Sequence, residues 1–231
     1  MMLNSIPRSC ALMGPLMAVL FLFVAPASAT IWTDWTSAAG GAPGSASGSL
    51  DGVAVSYSGE VDAFLINGTS LIWAPNSSFI GGTVTASPST VGDDIRLNGT
   101  FTGTNTITFA SPLEDPVFAI WSLGRPGLAA SFIFDATPTL EAGGPNSSFG
   151  GQSITVSGDT VSGNEGNGVV QFTGTFSSIS WTNTPENFYA FTVGIAETSG
   201  PAPVPQPSTI ALFGLGLGLA GFRLAWRRRA A

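Results

Sequence analysis

Carboxylates carry most of the reactive chemistry this chain can offer. Among its 231 residues there is no His, all seven basic residues are Arg, and the single thiol is Cys10. Cys10 lies in an N-terminal segment expected to be removed, so the mature chain has no thiol. Ser-His-Asp and Cys-His nucleophile systems, His-bound zinc and Lys chemistry are therefore excluded. Two uses of the 14 Asp and Glu residues remain. A pair held about 5–10 Å apart could cleave a glycosidic bond, or a cluster could coordinate a hard cation. No spacing in the sequence pairs two acids for catalysis, and neighbouring acids on a strand point to opposite faces. The chain is expected not to be an enzyme.

The cation reading has one weak locus. Asp159, Asn164, Glu165 and Asn167 place hard-oxygen donors in and beside the glycine-rich stretch "GNEGNGVVQFTGTFSSISWTN", Gly163 to Asn183. That composition suits Ca2+, but the spacing matches neither an EF-hand loop nor the nonapeptide calcium repeat. A turn in which Asn and Gly accept positive φ accounts for the same residues. Asp93-Asp94 and Glu114-Asp115 read likewise as solvated turns. No other cofactor is expected.

Residues 30–200 hold all 14 acids and only Arg96 and Arg125, a formal charge of 2 − 14 = −12. Nucleic acid is excluded as a partner, because phosphate binding needs clustered Lys or Arg. A neutral polymer such as extracellular polysaccharide, or a cation, fits better. Solubility alone also explains the acids. Trp32, Trp35 and Trp73 fall outside the clearest alternating strands, which makes them candidates for a sugar-stacking platform; edge packing is the other reading. Trp121 and Trp181 read as core.

Short alternating stretches must position these groups. Val53, Val55 and Tyr57 share one face, as do Ile107 with Phe109, Phe132 with Phe134, Ile179 with Trp181, and Phe191 with Val193 and Ile195. Gly, Pro, Asn and Asp punctuate at short intervals, and residues 30–200 show no extended helical stripe. The expectation is an all-β domain, an antiparallel β-sandwich of jelly-roll type with ten or more strands. "VFAIWSL", Val117 to Leu123, is apolar on both faces and should be a central strand.

Self-similarity adds a further expectation. "PNSSF" occurs at Pro75 to Phe79 and at Pro145 to Phe149; "NGTF" at Asn98 answers "TGTF" at Thr173; "DPVFAIWSLG" at Asp115 answers "ENFYAFTVG" at Glu186. Residues 75–124 and 145–194 could be duplicated sheet segments, or the matches could be recurrent turn chemistry. Strand order and direction decide between the two.

The two ends carry different signals. Arg8, the apolar run Ala11 to Val24 and the small residues Ala27-Ser28-Ala29 form a secretory signal peptide over 1–29, with signal peptidase cutting between Ala29 and Thr30. After the domain at 30–200 comes a Pro-rich linker at 201–209, then a transmembrane helix at 210–226. Its 17 residues would span about 25 Å, short of a hydrocarbon core of about 30 Å. A tail at 227–231 holds Arg227, Arg228 and Arg229, a cytoplasmic stop that fixes the orientation.

Pro205, Gln206, Pro207 and Ser208, followed by the short span and the Arg cluster, resemble the PEP-CTERM sorting signal of Gram-negative bacteria. Gln206 stands where that family has Glu. The resemblance implies export, transient anchoring in the inner membrane through the C-terminal helix, processing by an exosortase, and delivery to the cell surface or extracellular matrix. For the domain itself two readings stand beside this route: a structural or adhesive matrix component, or a carbohydrate-binding module. A simple tail-anchored periplasmic protein is the plainer alternative for the whole chain.

Overall fold

The structure is a computed structural model that describes residues 29–69 and 71–196. In chain order the strands are β1 (Ile31–Trp32), β2 (Asp34–Ala39), β3 (Gly41–Leu50), β4 (Val53–Val61), β5 (Ala63–Leu65), β6 (Asp94–Leu97), β7 (Asn105–Glu114) and β8 (Pro116–Leu123). They continue as β9 (Ala130–Phe134), β10 (Thr139–Gly143), β11 (Gln152–Ser153), β12 (Thr155–Ser157), β13 (Thr160–Gly163), β14 (Gly166–Gln171), β15 (Thr175–Asn183) and β16 (Tyr189–Ile195). A single 3-10 turn, Asn76–Ser78, interrupts the long excursion between β5 and β6. Among the described residues no helix is long and apolar enough to cross a membrane. The signal-peptide residues before Ala29, the linker, the transmembrane helix at 210–226 and the Arg tail lie outside the described residues.

Two eight-stranded sheets face each other. The first, sheet A, runs β10-β14-β8-β16-β6-β5, with β1 added to β16 and β11 to β14; the second, sheet B, runs β12-β13-β9-β15-β7-β4-β3-β2. Every pairing is antiparallel except β11 with β14. Turn chemistry fixes the registers. Asp51 and Gly52, both at positive φ, close the β3–β4 hairpin between Leu50 and Val53, as a two-residue type I′ turn requires.

The alternating positions read from sequence meet between the sheets. Val55, Tyr57, Ile107, Phe109, Phe132, Phe134, Ile179, Trp181, Phe191 and Val193 all belong to the main core. Phe118 is at its centre, stacked on Phe191 at 5.1 Å and edge-on to Trp181 at 5.1 Å. Offset and edge-to-face aromatic pairs of this kind add about 0.5–1.5 kcal/mol each beyond their burial.

Sheet A is covered on its outer side too. Ile72, Trp73, Phe79 and Val84, from the β5–β6 excursion, pack on Val117, Ala119, Trp121, Val169 and Ala190 to form a second core. This third layer is why every residue of β8 is buried and why its sequence reads as apolar on both faces.

Among the described residues no such layer covers the outer face of sheet B. There the ladder aligns Ser37, Ser47, Ser56, Thr108 and Ser178 in one row across five strands, and Ala39, Ser45, Ser58, Thr106 and Ser180 in the next. No charged residue stands in either row. Neighbouring hydroxyls bond within the rows, Ser37 to Ser47 at 2.6 Å and Thr106 to Ser180 at 3.1 Å.

The duplication expected from sequence survives in a narrower form. β6, β7 and β8 pass from sheet A to B and back to A, and so do β14, β15 and β16. β7 pairs antiparallel with β15 and β8 with β16, while β14 flanks β8 and β6 flanks β16. Exchanging the two trios leaves the order β14-β8-β16-β6 unchanged, so strand order and direction match. The preceding residues do not correspond, since 75–93 hold only the 3-10 turn and isolated bridges while 145–165 hold β11, β12 and β13. The two "PNSSF" copies instead touch each other: Ser78 Oγ donates to the Pro145 carbonyl at 2.7 Å and Ser147 N to the Ala74 carbonyl at 2.9 Å.

Candidate functional site around Glu165

Among the described residues three acids are buried, Glu60, Asp94 and Glu165, and their partners separate structure from site. The Glu60 carboxylate accepts from Gly99 N at 2.7 Å, Thr100 N at 3.2 Å and Thr100 Oγ1 at 3.1 Å. It pins the "NGTF" loop to the end of β4. Asp94 is paired with Arg96 at 2.7 Å. Glu165 is different. Its Oε1 accepts a short hydrogen bond from Ser122 Oγ, and its Oε2 has no hydrogen-bond partner among the described residues, although the residue is only 9% exposed.

The backbone is bent to put Glu165 there. Ser122 and Glu165 both hold positive φ, 58° and 63°, a conformation that costs non-glycine residues about 1 kcal/mol or more. At Ser122 the β8–β14 ladder slips, Leu123 facing Gly166 while Ile120 faces Gly168. Trp121 still follows the alternation of Val117 and Ala119 into the second core, and the bulge then breaks it so that Leu123 returns to the main core. Asn167 holds the arrangement: Oδ1 accepts from Ser122 N at 2.9 Å, and Nδ2 donates to the carbonyls of Glu165 at 3.2 Å and Gly150 at 3.3 Å. Gly151 lies so close that a Cβ there would sit 1.9 Å from the Glu165 carbonyl oxygen, which explains glycine at that position.

Burial raises the Glu165 carboxyl above the ordinary glutamate range. The Ser122 hydroxyl opposes the shift, and the Glu186 charge adds to it. Ser122, which holds this carboxyl, follows directly on an aromatic cluster. Trp121, the residue before Ser122, lies 5.5 Å from Phe149 and 5.6 Å from Phe188, with Phe149 and Phe188 5.9 Å apart. Phe149 is 54% exposed, whereas Trp121 is 3% exposed and its indole N–H has no partner. One open ring thus rests against two more sheltered ones, and Ser122 and Gly151 join this cluster through the chain to Glu165, whose Oε2 is unpartnered among the described residues. Such a site can stack a ring and accept a hydrogen bond.

The residues singled out from sequence are distributed differently from expectation. Of the four hard-oxygen donors, Glu165 and Asn167 come together, but Asn167 spends its amide on the backbone. Asn164 is exposed beside them. Asp159 sits in the β12–β13 turn at the edge of sheet B, hydrogen-bonded to Thr160. The four do not form one donor set, and among the described residues no three His, Cys, Asp or Glu are grouped to hold a metal ion.

The tryptophan platform is also corrected. Trp35 and Trp73 are fully buried. The Trp35 indole donates to Thr192 Oγ1 at 3.2 Å in the main core, and Trp73 packs edge-on to Phe79 in the second. Trp32 is half-buried against that second core, its indole donating to the Ala86 carbonyl at 2.9 Å. Trp32 ends the two-residue β1, Trp35 stands in β2 and Trp73 lies on irregular chain, so no extended alternation marked these side chains, which seal layers. Phe149 and Phe188 were not legible as a site. Their only signal was membership of the two repeated motifs.

At the junction where the sequence reading expects signal-peptidase cleavage, Ala29 is exposed and Thr30 buried. Thr30 N donates to Thr85 Oγ1 at 3.0 Å, and Thr85 N returns a bond to Thr30 Oγ1 at 2.8 Å.

No curated protein and no solved structure matches this chain. One family model does: residues 203–229 match the PEP-CTERM protein-sorting motif. The matched range contains Pro205, Gln206, Pro207, Ser208, Arg227, Arg228 and Arg229, all outside the described residues. The chain thus joins an all-β, two-sheet domain to a PEP-CTERM sorting tail, which implies an exported protein of a Gram-negative bacterium processed by an exosortase.

Proposed function

We propose that this protein is a non-catalytic component of the cell surface or extracellular matrix, whose sandwich adheres to hydrated polymer. Signal peptidase removes residues 1–29, the helix at 210–226 holds the chain in the inner membrane with Arg227 to Arg229 inside, and an exosortase cuts near Pro205. The observation that carries the adhesive role is the outer face of sheet B. On a domain with a formal charge of −12, two rows cross five strands with a small hydroxyl at every position but Ala39 and without a charged residue. Each hydroxyl both donates and accepts, so the face can exchange water for the hydroxyls of a neutral polymer at little desolvation cost. The absence of His and Lys supports a role without group transfer, and no metal or cofactor is part of this reading.

The test is mass spectrometry of the C-terminus of the protein from its own host, with the cell fraction recorded. A surface or extracellular form ending near Pro205 is the expected result. An intact Arg tail confined to the inner membrane would sink the sorting route.

A further inference from the structure

We propose that the cluster of Phe149, Trp121, Glu165 and Ser122, on the outer side of sheet A, is a binding site for one ring of a neutral saccharide. The ring's C–H face would stack on Phe149, and one hydroxyl would donate to Glu165 Oε2. This rests on the reading that the exported domain meets extracellular polymer, and it adds a discrete site to the broad face of sheet B.

Three observations converge on it. Phe149 is a large exposed aromatic in a loop and is 54% open while resting on Trp121. An aromatic held in this way offers a rigid apolar face, the element that saccharide sites use for stacking. Glu165 is largely buried, with Oε1 held by Ser122 and Oε2 without a protein partner among the described residues yet open to solvent, so Oε2 is an acceptor that a ligand can reach. The two are joined by short chain. Gly150 and Gly151 lead from Phe149 onto the Glu165 carbonyl, and Trp121 leads directly to Ser122, which holds Oε1.

The geometry also selects among ligands. Glu186 lies close enough to act on Glu165, and among the described residues no Arg forms an ion pair with either, so an anionic sugar would be repelled. A cationic ligand would also be drawn to one ring face and an unpaired carboxyl, so it is the competing occupant that the experiment separates. Here Trp121 is 3% exposed, and the tilt between Trp121 and Phe149 is 34°, so a single face is presented. A neutral ring with outward hydroxyls satisfies both the face and the carboxyl.

The experiment uses the mature protein purified from its host, with neutral β-1,4- and β-1,3-linked glucose hexasaccharides, alginate and a chitosan oligomer as probes, read by calorimetry. Binding of a neutral hexasaccharide is expected, with Phe149→Ala weakening it about tenfold, the scale of one lost stack, and Phe149→Tyr restoring it. Phe149 is exposed, so the melting temperature of Phe149→Ala should stay near that of the parent. Glu165→Ala should also weaken binding; because Glu165 is buried, its melting curve is recorded alongside. Failure of every neutral hexasaccharide to bind at millimolar concentration would overturn the proposal. So would binding that is unchanged in Phe149→Ala, or selective for alginate or chitosan. These outcomes leave the sorting route and the face of sheet B intact, whereas an unprocessed tail would count against the route and not against this site.

Discussion

The outward faces of the two sheets are built from similar ladders but have opposite fates. β8 in sheet A is buried along its whole length, and the residues it turns outward, Val117, Ala119 and Trp121, seal against the β5–β6 excursion. β4 in sheet B buries Val55 and Tyr57 and leaves Ala54, Ser56 and Ser58 in solvent. One sheet therefore buys stability with a third layer, while the other keeps an open surface. The outward residues of a strand thus report what lies beyond the sheet, and their polarity separates packing from contact with partners.

The largest expected effect tests the covering layer. Trp73→Ala should cost about 3–5 kcal/mol, the range for truncating a buried aromatic, measured by urea denaturation. A loss below about 1 kcal/mol would mean that the excursion rests on sheet A without stabilising it.

A middle-sized effect comes from the seam between the sheets. Asp93, half-buried, accepts from Trp35 N at 2.9 Å and so ties β2 of sheet B to the turn before β6 of sheet A. Burial, with the nearby Asp34 and Asp94 charges, pushes its carboxyl up to about 6. Because the folded state holds this proton more tightly than the unfolded one, the group's contribution to stability grows as pH falls from about 6 toward the ordinary carboxylate range, and is lost again as pH rises. Asp93→Asn should raise stability near pH 7 by up to about 1 kcal/mol, after allowance for solvent screening. It should also flatten the melting temperature between about pH 4 and 6. An unchanged pH profile would remove Asp93 from the seam's energetics.

The smallest effect belongs to the open face. Thr108→Ala, in the middle of a hydroxyl row, should change stability by no more than about 0.5 kcal/mol. A larger loss would show that the rows hold the sheet together rather than face a partner.

Much of the fold was legible from period-two alternation, because a two-sheet core is made by alternate residues. Tyr57, Phe109, Phe132, Phe134, Trp181 and Phe191 all fell where that pattern put them, and the doubly apolar Val117 to Leu123 marked the strand with a layer on each side. The covering excursion was not legible. Ile72, Trp73, Phe79 and Val84 are single anchors spaced along irregular chain, and no period connects them. The sequence reading likewise left Trp35 and Trp73 open between a surface platform and edge packing, and each is a plug. The candidate site was legible by half. Glu165 and Asn167 drew notice as oxygen donors, but the bulge at Ser122 and the approach of Phe149 are tertiary events that composition does not encode.

The pairing of the terminal strands has a mechanical consequence. Ile195, the last residue of β16, is flanked by Ile31 of β1 on one side and Pro116 of β8 on the other. A pull arriving through the C-terminal tail, from a membrane or from a polymer dragged by flow, enters the domain along an interior strand. It is shared at once with neighbours on both edges, so the point of tethering is also a point at which the sheet resists being peeled.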